Sequence, residues 1–171
     1  WLARMLKAGE DPRFIARRLV ILASEDIGMA DPTSLLIADA AARAVEFVGL
    51  PEAQLNLAQA VVHLATAPKS NRVTLALTSA MQDVSSPGEG RVPPHLRDAH
   101  YSGASSIGHG EGYVYPHNDP RGWVEQKYRP EEVESNIYYD PSPHGFEEQI
   151  ADRMTEIKEN KNVEDFSEEQ N

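Results

Sequence analysis

The sequence predicts an all-α fold: a bundle of about four to six helices, then a long ordered loop region rich in Pro, Gly and Tyr, then a C-terminal helix. Three observations carry this expectation. Two Asp-Pro pairs, Asp11-Pro12 and Asp31-Pro32, each stand before a long run of helix-forming residues. Asp accepts from the free N–H groups of a first helical turn, and Pro at the first helical position gives up a donor that has no partner there. Apolar residues recur at three- and four-residue spacing through the first half of the chain and lose that rhythm after Ser86. Residues 87–145 then crowd together Pro, Gly, His and Tyr, with enough aromatic side chains to favour order over disorder.

The elements follow in order. The chain opens in helical rhythm, with Trp1 and Met5 four apart and Leu2 and Leu6 likewise, and it has no initial Met, as expected of a piece of something longer. Over 12–27, Phe14, Ile15, Leu19, Leu22 and Ala23 mark one face, and Gly28 ends the segment. The helix expected over 32–48 is apolar nearly all round, with Asp39, Arg43 and Glu46 as its one polar stripe. Such a helix needs cover on most sides. Its small residues permit close approach of a neighbour, within the domain or between copies, and Ala38, Ala41, Ala42 and Val45 are the interface candidates.

A third long helix follows Pro51, with Leu55, Ala58, Val62 and Ala65 as its expected buried face, and stops before Pro68. The fourth takes Ser70 or Asn71 as its cap and lines one side with Val73, Leu77, Ala80 and Val84. At roughly 1.5–3 kcal/mol per buried large apolar side chain, about a dozen such positions can offset the ordering entropy of this segment. A last amphipathic helix is expected from about residue 143, with Phe146, Ile150, Met154 and Ile157 along one stripe. The expected organisation is therefore a helical bundle over 1–86, a loop-rich extension packed on it over 87–145, a C-terminal helix over 146–158 and a mobile acidic tail over 159–171.

Composition narrows the function classes. The 171 residues carry a formal net charge of -11, and the segment 147–171 alone holds nine Asp/Glu against three Lys/Arg. An acidic balance disfavours phosphate binding over the whole surface and leaves room only for a local patch. Arg13, Arg17 and Arg18, and separately Lys69 with Arg72, are the DNA-contact candidates, set against the plainer expectation that they pair with acidic neighbours. There is no Cys, which excludes disulfides and thiolate metal sites, and no membrane span.

Five of the six His fall in the loop region: His95, His100, His109, His117 and His144. Their spacing matches no HExxH pair or strand-alternating ligand set, so loop packing is favoured. A metal site on His95, His100, His109 and His117 stands as the minor alternative. The glycines at 108, 110 and 112 belong to turns, because no strand precedes them and no Lys-Ser/Thr pair follows. With no Walker motif and no GxSxG elbow, no catalytic, cofactor-binding or metal residue is assigned.

Several ungapped blocks occur in a fixed order: Trp1-Leu2-Ala3-Arg4-Met5; Gly9-Glu10-Asp11-Pro12; Phe14-Ile15-Ala16-Arg17-Arg18; Ala23-Ser24-Glu25-Asp26-Ile27-Gly28; Ala30-Asp31-Pro32; Ala67-Pro68-Lys69-Ser70-Asn71; Val92-Pro93-Pro94-His95-Leu96-Arg97-Asp98-Ala99; and Gly112-Tyr113-Val114-Tyr115-Pro116-His117. This closely resembles the C-terminal region of the replication-associated recombination protein A family (RarA/MgsA), AAA+ ATPases related to clamp loaders and to the Werner-helicase-interacting ATPase. The likeness runs from Trp1 to about Ile157, and Asn118 departs from an Asp common in that family. The resemblance implies a clamp-loader-collar-like helical domain that joins subunits as a homotetramer, behind an N-terminal ATPase module that uses ATP and Mg. It also implies action on DNA at stalled forks, single-strand-binding protein and other replisome components as partners, and a cytoplasmic, nucleoid-associated location. A DNA-binding module remains the first alternative to an oligomerisation domain.

Overall fold

The computed structural model describes residues 1–86, 88 and 90–168; for Ser105, Lys158 and residues 160–168 it describes the backbone alone. Pro87, at the expected start of the loop region, and residues 169–171 of the expected tail lie outside the described residues. The described residues form six α-helices: α1 (Leu2–Lys7), α2 (Pro12–Leu22), α3 (Thr33–Phe47), α4 (Ala53–Thr66), α5 (Arg72–Val84) and α6 (Glu147–Glu168). Among the described residues there is no strand, and no helix is long and apolar enough to cross a membrane.

Both Asp-Pro pairs act as expected. Asp11 accepts from Arg13 N–H at 2.9 Å with Pro12 in the first helical position, and Asp31 accepts from Thr33 N–H at 3.1 Å ahead of α3. Helix α2 does not run unbroken to Gly28. After Leu22 the chain widens into a π-turn, Ala23–Ile27, and then tightens into a 3₁₀ turn, Gly28–Ala30, where Gly28 takes φ +53. The widened turn places both Ala23 and Ile27 in the core, with Ile27 wholly buried.

The chain divides into two compact units, Trp1–Thr78 with Tyr138–Asn171, and Ser79–Ile137. In the first, α3 packs against both α2 and α4. One cluster joins Ile15, Ala16, Val45, Ala53 and Leu57, with Leu2, Met5 and Leu6 of α1 laid against it; a second joins Ala23, Ile27, Ala38 and Leu64. The core is built on alanine. Ile27, Leu57 and Leu64 are the large aliphatic side chains that are fully covered among the described residues.

Two expected faces are corrected by these contacts. Helix α4 buries Ala53, Leu57, Ala60 and Leu64, while Leu55, Ala58, Val62 and Ala65 face outward. The helix carries two apolar stripes, and the one that goes inside has alanines where α3 comes close. Helix α5 buries no residue at all: Val73, Leu77 and Val84 are exposed and Ala80 is half-buried. On α6 the stripe Ile150, Met154 and Ile157 is half-buried, and the helical backbone extends past residue 158.

The second unit is held by short 3₁₀ turns and side-chain bonds to backbone. Gln126 takes both backbone groups of Val114, its Nε2 donating to Val114 O at 2.8 Å and its Oε1 accepting from Val114 N–H at 3.2 Å. Arg129 donates to the carbonyls of Glu134, at 2.6 Å, and Asn136. Ala104 and Val124 are its buried apolar residues. Of its aromatic side chains, Tyr101, Tyr113, Tyr115 and Tyr128 are exposed and Trp123 is half-buried.

Candidate functional site

The most elaborate polar site in the bundle lies at the start of α6. Glu147 is fully buried, a costly place for a carboxylate unless every lone pair finds a donor. Its Oε1 accepts from the Tyr139 hydroxyl at 2.8 Å and its Oε2 from Ser142 N–H at 2.8 Å, and the Ser142 and Ser70 side chains add hydrogen bonds. Burial alone pushes the Glu147 carboxyl up; the donors from Ser142, Ser70 and Tyr139 together outweigh it and hold the group below the usual carboxylate value. The Tyr139 phenol is pushed well up by its own burial and by the adjacent carboxylate, so it stays a donor. Ser70 also caps α5, accepting from Arg72 N–H at 3.2 Å, and its own N–H donates to Asp26 O at 2.8 Å in the π-turn. Glu147 therefore ties α6, the 138–145 segment, the start of α5 and the π-turn into one polar joint.

Asp31 makes a second joint. It accepts from Thr33 Oγ1 at 2.6 Å and Ser34 Oγ at 2.8 Å, and lies 2.7 Å from His63 Nε2 on α4. Burial raises its pKa, and the bonds from Thr33, Ser34 and His63 more than reverse this, leaving it low. Through this bond His63 pins the start of α3 to α4.

The interface candidates sit inside the chain. Ala38, Ala41 and Val45 are buried, and Ala42 packs on the first core cluster. Their small size serves the contacts of α3 with α2 and α4, so none of these three buried residues is presented to another copy. What α3 exposes is Leu35, Leu36 and, at its end, Phe47, which is 93 % exposed. Helix α5 exposes Val73, Leu75, Leu77, Met81 and Val84, with Leu77 at 64 %. From Val73 to Gln82 it carries no formal charge.

The basic candidates fall into separate places, and most are engaged. Arg13 forms a two-point ion pair with Glu46, at 2.6 and 2.8 Å, and Arg17 lies 3.9 Å from Asp11. Arg13, Arg17 and Arg43 rim a hollow of about 490 Å³ whose floor is Ala16, Val20, Ile21 and Ala42. Lys69 donates to the carbonyls of Leu64, at 2.9 Å, and Ala67, at the end of α4, and Arg72 pairs with Asp140 at 3.3 Å. Lys69 at a helix C-terminus is a cap matched to the carbonyl end. Of the five, Arg18 is exposed with no ion pair among the described residues.

The loop histidines likewise take separate partners. His95 meets Lys127 O at 2.6 Å, His100 meets Asp98 at 2.8 Å, and His109 meets the Tyr101 hydroxyl at 2.8 Å. The His117 ring lies 5.0 Å from that of Tyr115. No group of three His, Asp or Glu side chains positioned to hold a metal occurs among the described residues. Asn118 ends a short turn, its N–H on Tyr115 O at 3.0 Å, and the neighbouring Asp119 grips Arg121 at 2.8 and 2.9 Å. Those bonds hold the Asp119 carboxyl down to about 2.

Residues 1–158 match the family described as "MgsA AAA+ ATPase C terminal". The chain is 58 % identical over 158 residues to an uncharacterized AAA domain-containing protein of Mycobacterium tuberculosis, covering 92 % of this chain and 35 % of that protein. It is 44 % identical over 162 residues to replication-associated recombination protein A of Bacillus subtilis, covering 92 % and 38 %. Similarity extends to the ATPase WRNIP1 of Dictyostelium discoideum, at 38 % over 141 residues, covering 82 % and 16 %. The chain thus spans little more than a third of the first two relatives. This helical domain, matched from residue 1 to 158, belongs to the C-terminal domain family of the MgsA-type AAA+ ATPases.

Proposed function

We propose that this domain assembles copies of a AAA+ ATPase that acts in replication-associated recombination, and so sets the spacing of the motor modules on DNA. The family and the B. subtilis relative's name support the cellular process. The observation that supports assembly is α5: a 13-residue helix with no buried residue, exposed apolar side chains along its length and no formal charge from Val73 to Gln82. In a chain of which 25 % is charged, an exposed helix of that composition is suited to cover by another subunit. The homotetramer implied by the family is the expected state. ATP and Mg belong to the ATPase module of the whole protein, and the domain itself has no catalytic role.

Light scattering tests the proposal directly. The expected result is a tetramer mass at micromolar concentration that falls on dilution. A monomer mass unchanged across that range would remove the reading. The five candidate cations give a DNA-binding role less support: they lie in separate places, and Arg13, Lys69 and Arg72 already have partners within the chain.

A further inference from the structure

Helix α4 is unusual in the same way as α5 but at a different place in the fold. Between Ala53 and Thr66 it contains no Asp, Glu, Lys or Arg. Its inner stripe fills the core, and its outer stripe leaves Leu55 76 % exposed and Val62 63 % exposed. That outer stripe is not a convex ridge. Two hollows of about 450 and 500 Å³ run along it, one against Leu2 and Leu6 of α1, the other against Ile37 of α3, and Ala58 lines both. The two hollows share Ala58 and make one strip across α1, α4 and α3, in which Gln54, Gln59, Thr66, Lys7 and His63 lie among the apolar side chains.

A strip of this kind needs an occupant, and its position favours one. The family comprises the C-terminal part of AAA+ ATPases, and the matched region is 35 % of the M. tuberculosis relative and 38 % of the B. subtilis one. In proteins so arranged the ATPase module joins through α1, which forms one wall of the strip. A segment tethered there faces the strip at millimolar effective concentration, far above what a free partner reaches. We propose that the strip along α4 docks the part of the full-length chain that precedes Trp1, through an apolar, uncharged surface such as one face of a helix. This rests on the reading of the domain as the C-terminal part of a longer ATPase. It makes α4 the contact within a subunit and leaves α5 for the contact between subunits.

The absence of cysteine from this chain supplies the test. Leu55→Cys and Val62→Cys are introduced singly into the full-length protein, and maleimide labelling of each is followed by mass spectrometry of the peptide. Rates are compared with the same variant in denaturant over a dilution series. The expected result is labelling slowed by about tenfold or more at every concentration, as for a site exposed only by local opening. Labelling as fast as in denaturant would overturn the proposal. So would protection that vanishes on dilution, which would make the occupant a second copy. Mass measurement on the same samples reports assembly separately: monomers throughout, with Val62→Cys still protected, would overturn assembly and support this docking.

Discussion

Glu147 shows how one buried group can hold several segments together. Glu147→Ala removes the acceptor shared by Tyr139, Ser142 and Ser70, and leaves their polar groups buried without it. The expected loss is about 3–5 kcal/mol, a large part of a typical domain's stability, and urea unfolding measures it. The pH dependence follows from the direction of the shift. A carboxyl whose folded-state pKa lies below its ordinary 4.5 contributes stability that is fully present above that pH and is lost as pH falls through the folded-state value. Wild type should therefore lose stability below about pH 4.5 more steeply than Glu147→Gln. Parallel curves for the two would show that Glu147 is not the group responsible. Gly145 is equally exacting: at φ +58, an added Cβ would lie 2.2 Å from Ala30 O and 2.7 Å from Pro68 Cγ. Gly145→Ala should cost about 2 kcal/mol or more, and should also weaken the bond from Phe146 N–H to Ala30 O. An unchanged melting temperature would show that the turn relaxes freely.

At the scale of the element, the helix starts were legible in the residues; the ends of α2 and α6 and the choice of buried face were not. Asp11, Asp31 and Ser70 mark helix starts by local chemistry that needs no tertiary context. Facing depends on which stripe a neighbour selects. On α4 both stripes are apolar, so periodicity alone could not favour Ala53, Leu57, Ala60 and Leu64 over Leu55, Ala58 and Val62. The same ambiguity left open whether Ala38 and Ala42 pack within the domain or between copies; Ala38 is buried in the core, and Ala42 lies half-buried against it. Glu147 was hidden for another reason: with the last helix expected from residue 143, it occupied an ordinary charged position, and its burial comes from Tyr139, Ser142 and Ser70 folding over it. These placements separate two variants. Ala38→Glu puts an unpaired charge in the core and should unfold the domain by several kcal/mol. Leu77→Glu, on the exposed side of α5, should leave melting of the single subunit nearly unchanged and dissociate the assembly. Circular dichroism and sedimentation together distinguish the outcomes, and an intact tetramer in Leu77→Glu would remove α5 from the interface.

For the whole molecule, the alanine-based core and the many uncovered aliphatic side chains are what the proposed assembly would cover. Its apparent stability should therefore rise with protein concentration, and melting temperatures measured over a hundredfold dilution series check this. An invariant melting temperature would mean that the exposed helices carry no association energy. The family resemblance was readable from ordered blocks along the chain, whereas the partition of apolar side chains between core and surface needed three dimensions. The two-faced character of α4 also has a bearing on synthesis. A helix that is greasy on opposite sides emerges from the ribosome with a second adhesive edge even after its own subunit has folded, so a cell making this protein must bring that edge under cover quickly or lose chains to clumping.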